Sequence, residues 1–178
     1  MLDRWGEYFF MIGSSAAALI GLMFIVVTLT AGRERKDLDP GKRFYTTPIV
    51  WHLGVVLVLS GIAEMPIMTM PLFSIACGTA ALIGLVSSVR ISLAIAQMTT
   101  NYSGYDACWY GMAPAVIYAV LGVSAVGLFQ RNGWGLISAA ASILALLVVS
   151  IHNEWDLVTF LAPIVQAPGS TGGNNSST

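Results

Sequence analysis

Charge is what this chain of 178 residues has least of. Only 10% of its residues are Asp, Glu, Lys or Arg, eight basic against nine acidic, while 56% are hydrophobic. A water-facing surface normally carries about 25% charged residues, so composition argues against a soluble globular fold and for an integral membrane protein. There is no long basic run, and with a net charge of −1 the chain is expected to bind no nucleic acid, which takes clustered Lys and Arg against its phosphates. Cysteine is nearly missing: Cys77 and Cys108 are too few for a disulfide framework, and their spacing matches no zinc or redox motif. Both read as structural, Cys77 as a small hydrophobe among apolar neighbours. Also missing are a helix-borne HExxH, a glycine-rich phosphate loop and GxSxG. An intramembrane protease needs a serine with a histidine, paired aspartates or a zinc motif held within the bilayer, and Asp106 and Asp156 fall at the membrane edge. The expectation is no enzyme, no metal and no cofactor.

What the chain has is long apolar runs. At roughly 20 residues per crossing, five runs use about 100 residues and leave short loops and a tail. They fall at 9–31, 48–65, 71–93, 111–129 and 134–155, which predicts an all-α integral membrane bundle of five transmembrane helices within residues 9–165. The first run is too long for a cleaved signal core, and its leader carries Asp3 and Glu7, so it reads as a retained helix. Thr46 and Thr47 before Pro48 make a helix-start signal for the second span. Pro66 and Pro71 bracket the reversal to the third. The polar stretch 99–106 separates the third span from the fourth, and 130–133 is a tight turn before the fifth.

Five of the eight basic residues, Arg33, Arg35, Lys36, Lys42 and Arg43, sit in the turn after the first span. The positive-inside rule keeps such a short loop cytoplasmic. Residues 1–8 are then periplasmic, Arg90 and 99–106 inside, and Arg131 outside. The small, polar stretch 166–178 becomes a disordered cytoplasmic tail.

Apolar side chains gain little by leaving lipid for protein, so helices in a bilayer meet through small residues. The third span carries Ala76, Ala80, Gly84, Ser88, Ser92 and Ala96 at a spacing of four, and the other helices are expected to pack on that stripe. Gly13, Ala17 and Gly21, then Gly111, Ala115 and Ala119, then Gly135, Ala139 and Ile143, form shorter ones. The alternative is that the long stripe lines a pore. Trp5, Tyr8, Trp109, Tyr110, Trp134 and Trp155 fall near span ends, as an aromatic belt requires.

Ionisable groups at membrane depth are costly and often functional. Glu64 lies about 24 Å along the second helix from Pro48. It reads either as an interfacial carboxylate pairing with Arg131 or Arg4, or as a proton or cation site with Ser14 and Ser15 as neighbours. At the inner face His52, Arg90, His152, Asn153, Glu154 and Asp156 are expected at similar depth. His152 and Asp156, four apart, share a helix face, and Arg90 could bridge them. That group is either a structural polar network stapling the third and fifth helices, or a metal or proton site using His52, His152 and a carboxylate.

The stretches WGEYFFMIGSSAAALIGLMFIVVTLT and IHNEWDLV resemble a family of small, uncharacterised bacterial multi-pass inner-membrane proteins. Its first helix reads roughly SAALIGLLFVxxSL, and its last helix ends in IxNxWD, matched here by Asn153, Trp155 and Asp156. His152 stands where that family commonly has arginine. Members are sometimes labelled modulators of the FtsH protease, and the resemblance implies a bacterial inner-membrane location with no catalytic residues to carry over.

The function expected is therefore non-catalytic: helix–helix association within the lipid bilayer, as a homo-oligomer or in a membrane protein complex. The third-helix stripe and the ending Asn153, Trp155 and Asp156 would be the recognition surfaces. The alternative is a small oligomeric ion channel or transporter with Glu64 at one mouth and His52, Arg90 and Asp156 at the other. The absence of an internal repeat disfavours a transporter built on inverted halves.

Overall fold

A computed structural model of the chain describes residues 5–31, 43–97 and 108–166, and among them the backbone is helical with short turns and no strand. The five long helices are α1 (Gly6–Ala31), α2 (Arg43–Ala63), α3 (Met70–Gln97), α4 (Ala113–Phe129) and α5 (Gly133–Gln166), with a π-helical turn, Cys108–Met112, leading into α4. Four stretches are long and apolar enough to cross a bilayer: Gly6–Thr28, Met70–Leu93, Cys108–Phe129 and Gly133–Thr159. The apolar part of α2 is shorter, Pro48–Ala63. Most of the basic turn after α1, the whole polar stretch 99–106 and the tail from 167 lie outside the described residues.

Pro48 does not open α2 as the Thr-Thr-Pro signal predicts. The helix begins at Arg43, so Arg43 belongs to α2 rather than to the preceding turn, and Pro48 sits inside it. In the second turn a proline forfeits one early backbone bond without having to stop the helix. Full-length α2 therefore rises about 31 Å.

The helices run antiparallel in chain order. One end, here the hairpin end, gathers the start of α1, the α2–α3 turn and the α4–α5 turn. Three contacts set this register: Tyr8 donates its hydroxyl to the Ala140 carbonyl at 2.9 Å, Ser74 donates to the Ala125 carbonyl at 2.7 Å, and Phe9 meets Phe73 edge-on. α3 packs chiefly on α4, α4 on α5, and α1 on α2, with α2 and α1 also against α5. Between α2 and α3 the bundle is open, and a lateral groove of about 840 Å³ lies there.

The expected small-residue stripes are only partly the packing faces. Four residues turn an α-helix through about 400°, so an i, i+4 row drifts about 40° per step. On α3 the row passes from the groove, where Ala76 and Ala80 line an open wall, to the α4 contact, where a Cβ on Gly84 would strike the Tyr118 ring. The buried α3 face instead alternates three and four: Ser74, Cys77, Ala81, Gly84, Ser88. On α1, Gly13 is buried but Ala17 and Gly21 are exposed. On α4 the row leaves the interior at Ala119. Only on α5 do Gly135, Ala139 and Ile143 all stay buried, because α5 is covered by α1, α2 and α4 together.

The α4–α5 corner is closed by backbone geometry. The Arg131 amide donates to the Leu128 carbonyl and the Asn132 amide to the Gly127 carbonyl, each at 2.9 Å. This 5→2 and 6→1 pair is a Schellman ending whose C′ residue must be left-handed. Arg131 holds that conformation, φ 59°, where a Cβ costs about 1–2 kcal/mol. Past the corner, a Cβ on Gly135 would run into the Gly127 and Leu128 backbone.

Arg131→Gly is expected to raise stability in detergent by about 1 kcal/mol, seen as a higher Tm. Gly135→Ala meets backbone that cannot yield and should cost about 1–3 kcal/mol. Gly21→Ala, with nothing within 4 Å of the added carbon, should be neutral or gain up to about 1 kcal/mol of helix propensity. Equal Tm values for the last two would contradict this packing.

Candidate functional site

The deepest polar contact joins α2 to α4. His52 Nδ1 lies 2.8 Å from the Tyr118 hydroxyl, and both residues are buried. Each stands 11 residues before its helix's hairpin end, about 16 Å by helical rise, which places the pair near mid-bilayer. The Tyr118 ring fits over α3 because position 84 is glycine. The Tyr118 hydroxyl and Nδ1 share this one bond, and which of them donates depends on the imidazole tautomer; the other ring nitrogen is Nε2. That Nε2 is buried with no hydrogen-bond partner. The pair therefore staples three helices, with no solvent approach to either ring.

A second polar cluster lies at the opposite end, where the π-helical turn docks on α5. Trp109 stacks on His152, centroids 4.1 Å apart and planes 11° from parallel. The Tyr110 hydroxyl donates to the Asn153 carbonyl at 3.3 Å, and the Asn153 side-chain amide donates to the Trp109 carbonyl at 3.4 Å. A Cβ on Gly111 would collide with Ser92 of α3, so the turn also lies tightly against α3. His152 Nδ1 stands 3.6 Å from Asp156 Oδ2, their side chains 30% and 41% exposed. This is an ion-pair distance rather than a hydrogen bond, and a pair so open to its surroundings contributes little.

The structure thus separates residues that the sequence reading places together. α2 begins before Pro48, and His52 sits about 14 Å from that start, one partner of Tyr118 rather than a member of the His152 group. Arg90 is exposed on α3, and among the described residues no ion pair joins it to Asp156. Glu64 is exposed in the α2–α3 turn, with both carboxylate oxygens 3.3 Å from where a Gly6 Cβ would stand. It therefore faces the first turn of α1, where free amides and the helix dipole favour an anion. Ser14 and Ser15 lie two turns further on and are exposed, the Ser15 hydroxyl bonded to the Met11 carbonyl.

Tyr118 gains an importance that the sequence reading does not assign it, and Glu154, one of the inner-face group, is the more deeply buried of its carboxylates. Tyr118 is a lone phenol in an apolar run, and burial obliges its hydroxyl to find a partner. Glu154 is only 7% exposed, and its Oε2 has no hydrogen-bond partner, as is true of Asn153 Oδ1. Among the described residues, no three His, Cys, Asp or Glu side chains come together in a way that could hold a metal ion. No family model matches the chain, and no curated protein or solved structure matches it either.

Tyr118→Phe leaves buried His52 Nδ1 without its partner and should cost about 1–3 kcal/mol, lowering Tm. Asn153→Leu removes the tie between α5 and the π-helical turn and should destabilise more than Asp156→Ala, which breaks only the exposed pair. The reverse order of Tm values would mean that the ion pair, not the amide, holds this end.

Proposed function

We propose that the chain is a non-catalytic multi-pass membrane protein that acts by associating with copies of itself or with a larger membrane complex. The observation that carries this reading is the closed interior: Phe9, Leu59, Phe73, Leu121, Leu128 and Ile143 are 2% exposed or less and lie between the hairpin end and His52–Tyr118. A closely packed apolar plug of this kind supports an association role over an axial ion path. Apolar side chains are turned outward all round the bundle, among them Phe10, Phe24, Leu82, Val123 and Ile137, which suits lipid or partner helices.

The contact surface is narrower than the sequence reading has it. Asn153 is buried, and the lower half of the α3 stripe is spent on α4. Trp155, 68% exposed, and Asp156 remain on α5, one turn before its apolar span closes at Thr159. The family resemblance adds the membrane protease to the partners worth assaying. The orientation goes with the reading: a bacterial inner membrane, N-terminus periplasmic, basic turn and C-terminus cytoplasmic, with α2 as the fifth crossing.

In reconstituted liposomes the protein should give no ion flux above empty vesicles under any gradient, and Glu64→Gln and Arg90→Ala should leave that baseline unchanged. A gradient-driven flux lost in either variant would establish the channel instead. In a Cys108→Ser background, an impermeant thiol reagent on intact cells should label Arg131→Cys and spare Lys36→Cys. Trp155→Ala should shift the oligomer distribution toward smaller species with Tm unchanged.

A further inference from the structure

The link between α2 and α3 holds Met65, Pro66, Ile67, Met68 and Thr69, and α3 opens on Met70. Three of the chain's eight methionines fall within these six residues. Turns are normally built from Gly, Pro, Asn, Asp and Ser, and Pro66 alone meets that need here. The Met68 amide donates to the Met65 carbonyl at 2.9 Å, and the Met65 amide to the Ile62 carbonyl at 3.2 Å. Met65 to Met68 is therefore a closed β-turn with proline at its second position, which keeps the Cα atoms of the two methionines within about 7 Å of each other.

Packing accounts for part of this composition. Met68 and Met70 are half-buried, each resting on the core with part of its side chain. Met65 is 51% exposed and stands outside the core cluster. All three lie at or beyond the ends of the apolar stretches Pro48–Ala63 and Met70–Leu93, so on helices that cross a bilayer they stand at its edge, within reach of an ion in water. Exposed Glu64 adds a negative charge next to the turn.

A thioether is soft, uncharged and without a proton to lose. Such sulfur ligands select Cu(I) among the metals that proteins bind, while carboxylate and carbonyl oxygens suit the hard ions. Methionine has three rotatable bonds, so sulfurs anchored on one closed turn and on the first residue of the next helix can be brought to one point. We propose that Met65, Met68 and Met70 form a thioether site for one soft monovalent cation, Cu(I) in the cell. The site needs neither histidine nor carboxylate as a ligand, and it is independent of whether the protein associates with itself.

The test uses Ag(I), a redox-stable probe of the same softness, added to the full chain in detergent and nitrate buffer. Cys77→Ala and Cys108→Ser remove both thiols from the background. Calorimetric titration should show one Ag(I) bound per chain, and the methyl resonances of Met65, Met68 and Met70 should shift together in NMR spectra. Leucine keeps the size and apolarity of methionine, so Met65→Leu and Met68→Leu should each weaken binding about tenfold with Tm little changed. The variant with all three replaced should not bind. Met11→Leu and Met112→Leu, at exposed positions elsewhere, should leave binding as it was. Affinity should be the same at about pH 5 and pH 7, because only ligands that must shed a proton make it pH-dependent. Equal affinity in the triple variant overturns the proposal. So does the lack of saturable binding, a shift confined to the Met65 methyl, or displacement of Ag(I) by equimolar Zn(II), which would mean that oxygen or nitrogen ligands hold the ion.

Discussion

A bilayer gives little reward for moving an apolar side chain from lipid onto a neighbouring helix, so these helices hold together only where their backbones come close and their polar groups find partners. Close approach is supplied at a few positions. α1 meets α2 at Gly13, where an added Cβ would stand 2.9 Å from that of Ser60. α3 meets α4 where the Tyr118 ring crosses Gly84, and α4 meets α5 where Gly127 and Gly135 lie backbone to backbone. These glycines serve by what they lack, a carbon that would push two helices apart, and not by conformational freedom. The open side of the bundle is the one seam, α2 to α3, where glycine and alanine face each other without closing.

Polar satisfaction is the other half of the same constraint. Hydroxyls inside a membrane span cannot turn to water, and here most fold back onto their own helix: Ser92 to the Ser88 carbonyl, Ser142 to Ser138, Ser150 to Leu146. The few that cross between helices carry specificity. Tyr8 ties α1 to α5, Ser74 ties α3 to α4, and the Ser124 and Ser138 hydroxyls meet across the α4–α5 seam. His52 with Tyr118 does the same for α2 and α4. Among the described residues, then, most hydroxyls are satisfied within their own helix and only a few join two helices, while the charged side chains stand toward the helix ends. That distribution is what cohesion between helices inside a bilayer requires.

Parts of the candidate site were readable from residue type and spacing. His152 and Asp156 share a face because they are four apart, and they do approach each other. Trp134 and Trp155 stand near the two ends of the apolar span Gly133–Thr159 and are exposed. Other parts were not. The depth of His52 depends on where α2 starts, which a proline signal misplaced by five residues. The partner of Glu64 is the start of α1, a neighbour distant in sequence that no local pattern names. Arg90 lies on the right helix at the expected level, but its side of α3 faces outward.

Hydrophobic content and run length alone determined that the chain is helical and built to cross a membrane, because those properties follow from backbone hydrogen bonding and bilayer thickness, which act on each segment separately. Which face of each helix is buried was decided only by tertiary structure. A row of small residues at a spacing of four winds around its helix, and whether a given step of it meets Tyr118, an open groove or lipid depends on where the other helices lie. The same holds for the pairing of His52 with Tyr118, 66 residues apart: each side chain states a need for a partner, and only the packed bundle brings the two together.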